Sequence, residues 1–199
     1  MSLELRAGRM AAFSDGVIAV IITIMVLELR VPGHDLPDVE GLRRVLPMLV
    51  IYALSFLEVG IYWVNHHYMV DEVEQVSHSL LWANLSFLFT LSLIPFGTAW
   101  VGERGLTPFA LSVYSICCAL PAASWIVLSI LVRHRTRMLL TGSPIKQAIS
   151  SVLYLGVIPV SYHSLASALG MLVSVAVLWV IPPKRVWERH IRQAGIRKP

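Results

Sequence analysis

Charge is what this chain has least of. Only 14% of its 199 residues are charged while 56% are hydrophobic, against about 25% charged residues in a typical soluble domain. So few charges cannot cover a water-facing surface, but a lipid-facing one does not need them. Cysteine is as scarce. Cys117 and Cys118 are adjacent in an apolar run, so on a helix they point about 100° apart, with no spacing that suggests a disulfide or a metal pair. They read as packing or lipid-facing residues. No small-residue cleavage site follows the first apolar stretch, which begins near Met10, carries Asp15 close to its start and ends at Glu28-Leu29-Arg30. A cleavable signal peptide is therefore not expected. Also missing are the alternating segments of about ten residues that build a membrane β-barrel. No internal repeat is evident, which gives no support to an inverted-repeat transporter within one chain. No Gly/Ser linker marks a second domain. These absences leave an all-α polytopic membrane protein, with a mean hydropathy of +0.71.

What is present divides into six apolar stretches. A spanning helix needs about 20 mostly apolar residues, and candidates fall at roughly 10–30, 46–68, 78–101, 107–133, 146–161 and 164–183. The fifth is short, carries Ser150, Ser151 and Pro159, and runs into Tyr162-His163 with almost no loop. It reads either as one arm of a tight hairpin or as part of one long broken helix. The net charge of +4 sits at the ends of these stretches, which points to membrane topology rather than to nucleic acid.

Lysine and arginine set the expected orientation. The N-terminus has Arg6 and Arg9 against Glu4, and the link after the fourth stretch has Arg133, Arg135, Arg137 and Lys146. The tail 184–199 has six basic residues against Glu188. By contrast, the first connection sets Asp35, Asp38 and Glu40 against Arg43 and Arg44. The acidic link with Asp71, Glu72 and Glu74 lacks the basic bias, but acids contribute little to orientation. Both termini are thus expected in the cytoplasm and the chain in the cell inner membrane, as a 1–183 channel domain followed by a short basic tail. That tail, which includes Trp187, is expected to lie along the anionic inner leaflet.

The first stretch is the most informative. Arg9, Phe13, Ser14 and Asp15 open it, and ionisable groups in a membrane helix usually face protein or water. Read alone, they form a polar clamp that fixes helix packing. Farther along, Val20, Ile24 and Leu27 recur at i, i+4 and i+7 and make one aliphatic stripe, with Thr23 at its edge. Composition alone would make such a stripe a lipid or core face.

The pattern Arg-x-x-x-Phe-Ser-Asp over Arg9–Asp15, followed by Gly16-Val17-Ile18-Ala19 and Thr23, resembles the opening helix of the transmembrane protein 175 family. These are the lysosomal potassium channels of animals and their single-repeat bacterial and archaeal homologues. The resemblance continues through Tyr62-Trp63-Val64-Asn65-His66-His67, Asn84-Leu85-Ser86-Phe87-Leu88-Phe89 and Leu93-Ile94-Pro95-Phe96. It covers the first half by motif and the rest by hydropathy and length. It implies a homotetramer of six-helix subunits whose first helices surround a potassium-permeable pore. The aliphatic constriction matches Val20, Ile24 and Leu27, and the residue matching Thr23 supports ion coordination. Where relatives often place isoleucine, this chain has the smaller Val20, which widens the constriction or shifts its tightest point. The resemblance also turns Arg9, Phe13, Ser14 and Asp15 off the pore, joined to Trp63, His67 and Asn84.

An aliphatic ring can gate by dewetting, with nearby oxygens replacing part of an ion's hydration shell. The Thr-Val-Gly-Tyr-Gly filter of ordinary potassium channels is absent, so only a modest preference for potassium over other monovalent cations is expected. A secondary transporter of a cation or small solute is the alternative, though the charged groups cluster at one end rather than near the midplane. An enzyme is not expected, because Ser14-Asp15 has no histidine at helical spacing in its own span. Nor is a metal site: His66 and His67 are adjacent, and His78 and His163 have no paired ligand. No cofactor is expected, and the partners are copies of the chain, permeant cations and the bilayer.

Overall fold

A computed structural model of the chain describes residues 4–29, 37–73, 76–136 and 144–180. Seven α-helices and no strand occur among them. Helix α1 is Glu4–Ile24 and tightens into a 3₁₀ turn over Met25–Glu28. It is followed by α2 (Asp38–Val70), α3 (His78–Leu91), α4 (Ile94–Arg104), α5 (Pro108–Thr136), α6 (Pro144–Ser161) and α7 (Leu165–Val180). The tail 184–199, Arg137 and the connection 30–36 lie outside the described residues.

Four segments are long and apolar enough to cross a bilayer: Ala7–Glu28, Asp38–Val70, His78–Arg104 and Pro108–His134. The third combines α3 and α4 and is interrupted at Ser92–Leu93 for a local reason. Pro95 cannot donate to Leu91 and disfavours a helical residue before it. Leu93 N–H turns to the Thr90 carbonyl at 3.1 Å, and Ser92 Oγ donates to the Phe89 carbonyl that this leaves, at 2.7 Å. In a membrane, groups freed from the helix ladder must find such partners. Helix α2 runs for 33 residues, about 50 Å at 1.5 Å per residue, so it extends beyond a hydrocarbon core about 30 Å thick. It begins after Pro37 with Asp38 and Glu40 in its first turn, where acidic groups favour the helix dipole.

The fifth and sixth stretches form a tight hairpin. Ser164 N–H returns to the Val160 carbonyl at 2.8 Å and His163 N–H to the same oxygen at 3.0 Å. Ser164 Oγ then accepts from Ser167 N–H at 3.2 Å and caps α7. A cap and a reversed chain within three residues exclude one long broken helix.

Helix α5 lies centrally, packed on α3, α4 and α6. Small residues let its neighbours approach closely. At Gly97 of α4 an added Cβ would lie 3.0 Å from Cys117 Cβ and 3.2 Å from the Tyr114 backbone. The core has two parts. One joins α1, the C-terminal half of α2, α3 and the C-terminal half of α5, through Ile18, Met25, Phe87 and Trp125. The other joins α2, α4, the N-terminal half of α5, α6 and α7, through Ile51, Tyr114, Tyr154 and Leu172.

Candidate functional site

Helix α1 packs on one face and leaves the other uncovered by the described residues of its own chain. Met10, Ser14, Ile18, Ile21 and Met25 are buried, with the i, i+4, i+3 recurrence of a helix face. On the opposite side Val20 is 54% exposed, Ile24 44% and Leu27 74%. All three residues of the aliphatic stripe therefore point away from the subunit core. Thr23 lies on this exposed face too. Its hydroxyl donates back to Ala19 O at 2.9 Å and Val20 O at 3.0 Å. A hydroxyl has one proton and two lone pairs, so this inward donation leaves the Thr23 oxygen acting only as an acceptor.

The buried face is held by a directional relay of hydrogen bonds. Ser14 Oγ donates to Met10 O at 2.9 Å and accepts from Asn84 Nδ2 of α3 at 2.9 Å. The Asn84 carbonyl oxygen pairs with His66 Nε2 of α2 at 2.7 Å, which assigns the proton to that nitrogen. All three polar side chains are buried. The His66 ring lies nearly parallel to Phe87 at 5.9 Å. Beside the relay, Trp63 Nε1 donates to Asp15 Oδ1 at 2.9 Å. Helix α1 is thus tied to α3 through a buried bond and to α2 through a more exposed one.

This arrangement corrects two expectations. His66, not His67, completes the anchor: His67 is exposed, stacked on Trp63 at 6.1 Å and 3.6 Å from Asp71. Adjacent residues point about 100° apart on a helix, so only one of the pair can face the core. The buried series Ile51, Ser55, Val59, His66, Val70 in α2 has the helical period and includes His66 but not His67. Likewise, of the four opening residues only Ser14 and Asp15 turn inward. Arg9 and Phe13 are exposed, in line with Val20, because 7 and 11 residues are close to whole helical turns. They are not part of the anchor within one chain. Sequence reasoning also passed over Glu58, a buried acid inside α2, although an ionisable residue within a membrane helix is itself a signal. Among the described residues no three or more metal-ligating side chains come together.

The fold and site define an all-helical membrane protein whose first helix is anchored by polar groups on one side and presents an uncovered aliphatic face on the other. Residues 9–95 match the family model described as endosomal/lysosomal potassium channel TMEM175. The chain is 39% identical over 191 residues to a protein named as a potassium channel from Chryseobacterium sp. (strain P1-3), covering 94% of this chain and 98% of that one. It belongs to the TMEM175 family, which is a family of channels and not of enzymes. Its fold is similar to the crystal structure of a lysosomal potassium-selective channel TMEM175 homolog from Chamaesiphon minutus. The TM-score is 0.71 at 28% identity, covering 88% of this chain and 96% of that one. The human relative, named an endosomal/lysosomal proton channel, is 22% identical over 55% of this chain and 22% of its own length.

Proposed function

We propose that the chain is a potassium-permeable cation channel that works as a homotetramer, with four copies of α1 around a central pore. The observation that carries this is the orientation of α1. Its aliphatic stripe Val20, Ile24, Leu27 is exposed on the side opposite the Ser14–Asn84–His66 anchor. A helix that spends its polar groups on holding position and leaves an aliphatic row outward suits a ring of such rows. A ring of aliphatic side chains narrows and dries a pore, and displacing it lets water and ions through. Thr23, with its proton already committed inward, offers an oxygen to a passing cation next to that ring. The family match supports a channel and includes α1 from Arg9 onward.

Both termini are assigned to the cytoplasm and the protein to the inner membrane, on the strength of the basic link after α5 and the basic tail. The test is flux in potassium-loaded liposomes with a voltage reporter. Passive, non-saturating potassium current is expected. Saturable flux tied to a second ion would instead make the protein a secondary transporter, and no flux would overturn the channel reading. Adding a proton-selective dye to the same vesicles separates potassium from proton conduction.

A further inference from the structure

Glu58 lies well inside the membrane portion of α2 and is 7% exposed. Its Oε1 accepts a hydrogen bond from the Tyr154 hydroxyl of α6. Next to it is a cavity of about 20 Å³, room for a single water, which needs about 10–15 Å³. Glu58, Tyr154 and Trp125 are the buried side of the cavity lining, with Tyr62 half-buried. Asn65, Gln147 and Trp179, which also line it, are half-buried and so partly reach the surface. No residue of α1 lines it.

The surroundings of this carboxyl decide what it can hold. The titratable groups that interact with it are Tyr62 on its own helix, Tyr114 and Cys118 of α5, and Tyr154 of α6. Each is an uncharged acid in its ordinary state. From α4 the nearest polar contribution is Thr98, bonded to Ser55 at 2.7 Å, which in turn meets Tyr114 at 3.0 Å. Helix α7 has no titratable side chain over its described length, and Asp15 of α1 is engaged by Trp63. Lys146, beside the lining residue Gln147 in sequence, donates to the Leu178 carbonyl at 2.8 Å and sits 5.9 Å over the Trp179 ring. Among the described residues the site therefore offers hydrogen-bond partners to a carboxyl and no counter-charge to a carboxylate, and an unpaired buried charge is costly.

We propose that Glu58 is a proton-binding site inside each subunit, separate from the exposed face of α1, and that it exchanges its proton with water through the crevice between Asn65 and Gln147. Loading forms one O–H bond on the carboxylate at the expense of a hydronium ion in the crevice; unloading returns the proton to water, and no other bond changes. The site does not depend on what the pore conducts.

Infrared difference spectroscopy of the full-length protein in liposomes tests this, comparing the wild type with Glu58→Gln at neutral pH in H2O and in D2O. The expected result is a carboxylic acid C=O band that shifts in D2O and is missing in Glu58→Gln. Tyr154→Phe, which keeps the acid, should move the band to higher frequency by removing one hydrogen-bond donor, and this variant carries the test if Glu58→Gln does not assemble. The proposal is overturned if the Glu58 signal is that of a carboxylate, if the band does not shift in D2O, or if Tyr154→Phe leaves it in place.

Discussion

Ser14 and Asp15 are neighbours in sequence but serve different helices, the first bonding α3 through Asn84 and the second α2 through Trp63. Asn84 stands between two partners, so it is the residue whose loss should matter most. Asn84→Ala leaves buried His66 Nε2 without its partner and Ser14 with only its bond to Met10, and should cost about 1–3 kcal/mol, read as a lower thermal midpoint of the detergent-purified protein. His67→Ala removes only exposed contacts, to Asp71 and to the ring of Trp63, and should change stability by less than about 0.5 kcal/mol. Equal losses in the two variants would contradict the assignment of His66 to the anchor. At the exposed face, Val20→Ala and Ile24→Ala should each raise liposome potassium flux severalfold without changing that midpoint, because a smaller ring holds water more readily. Unchanged flux in both would remove this stripe from the pore. The stripe itself was legible in the sequence from its spacing. Which way it faced was not, since periodicity groups residues on a face but says nothing of what lies opposite.

Among the elements, the closest approach is between α4 and α5 at Gly97. Ala there forces Cβ against Cys117 Cβ at 3.0 Å and the Tyr114 backbone, none of which can rotate aside. Gly97→Ala should therefore destabilise by about 1–3 kcal/mol. Gly156→Ala meets only the methyl end of Met171 at 2.7 Å, a flexible group that can move away, so its effect should be much smaller. Parallel unfolding measurements on the two variants check the contrast. The apolar runs located the helices but not all their ends: α2 begins at Asp38, well before the stretch expected at 46–68, and the stretch 78–101 is divided into α3 and α4. The α6–α7 hairpin was left open because its turn is built from hydroxyls and backbone bonds around Ser164, not from a glycine or a long polar loop.

For the whole molecule, the uncovered face of α1 predicts how copies meet. Leu27→Cys should form disulfide-linked dimers on mild oxidation, because the row lines a shared axis; bands of monomer alone would place this face against lipid instead. The native Cys117 and Cys118 are buried and so do not compete. Orientation has its own check: single cysteines introduced at Ser77 should be labelled from the cytoplasmic side and at Leu106 from the opposite side by an impermeant reagent. Reversed labelling would invert the topology drawn from the basic residues.

The sequence by itself determined the class of this protein. Low charge, six apolar stretches and the Arg-x-x-x-Phe-Ser-Asp opening are properties of composition and spacing, and they hold whatever the packing. Only the tertiary structure decided which of two adjacent histidines holds α1, that Arg9 and Phe13 share the exposed face with Val20, and that Glu58 is enclosed by tyrosines from other helices. Those outcomes depend on residues tens of positions apart, such as Ser14 with Asn84 and Glu58 with Tyr154. A helical period sets each residue's angle on its own helix, but burial is a relation between helices, and that relation forms only when they pack.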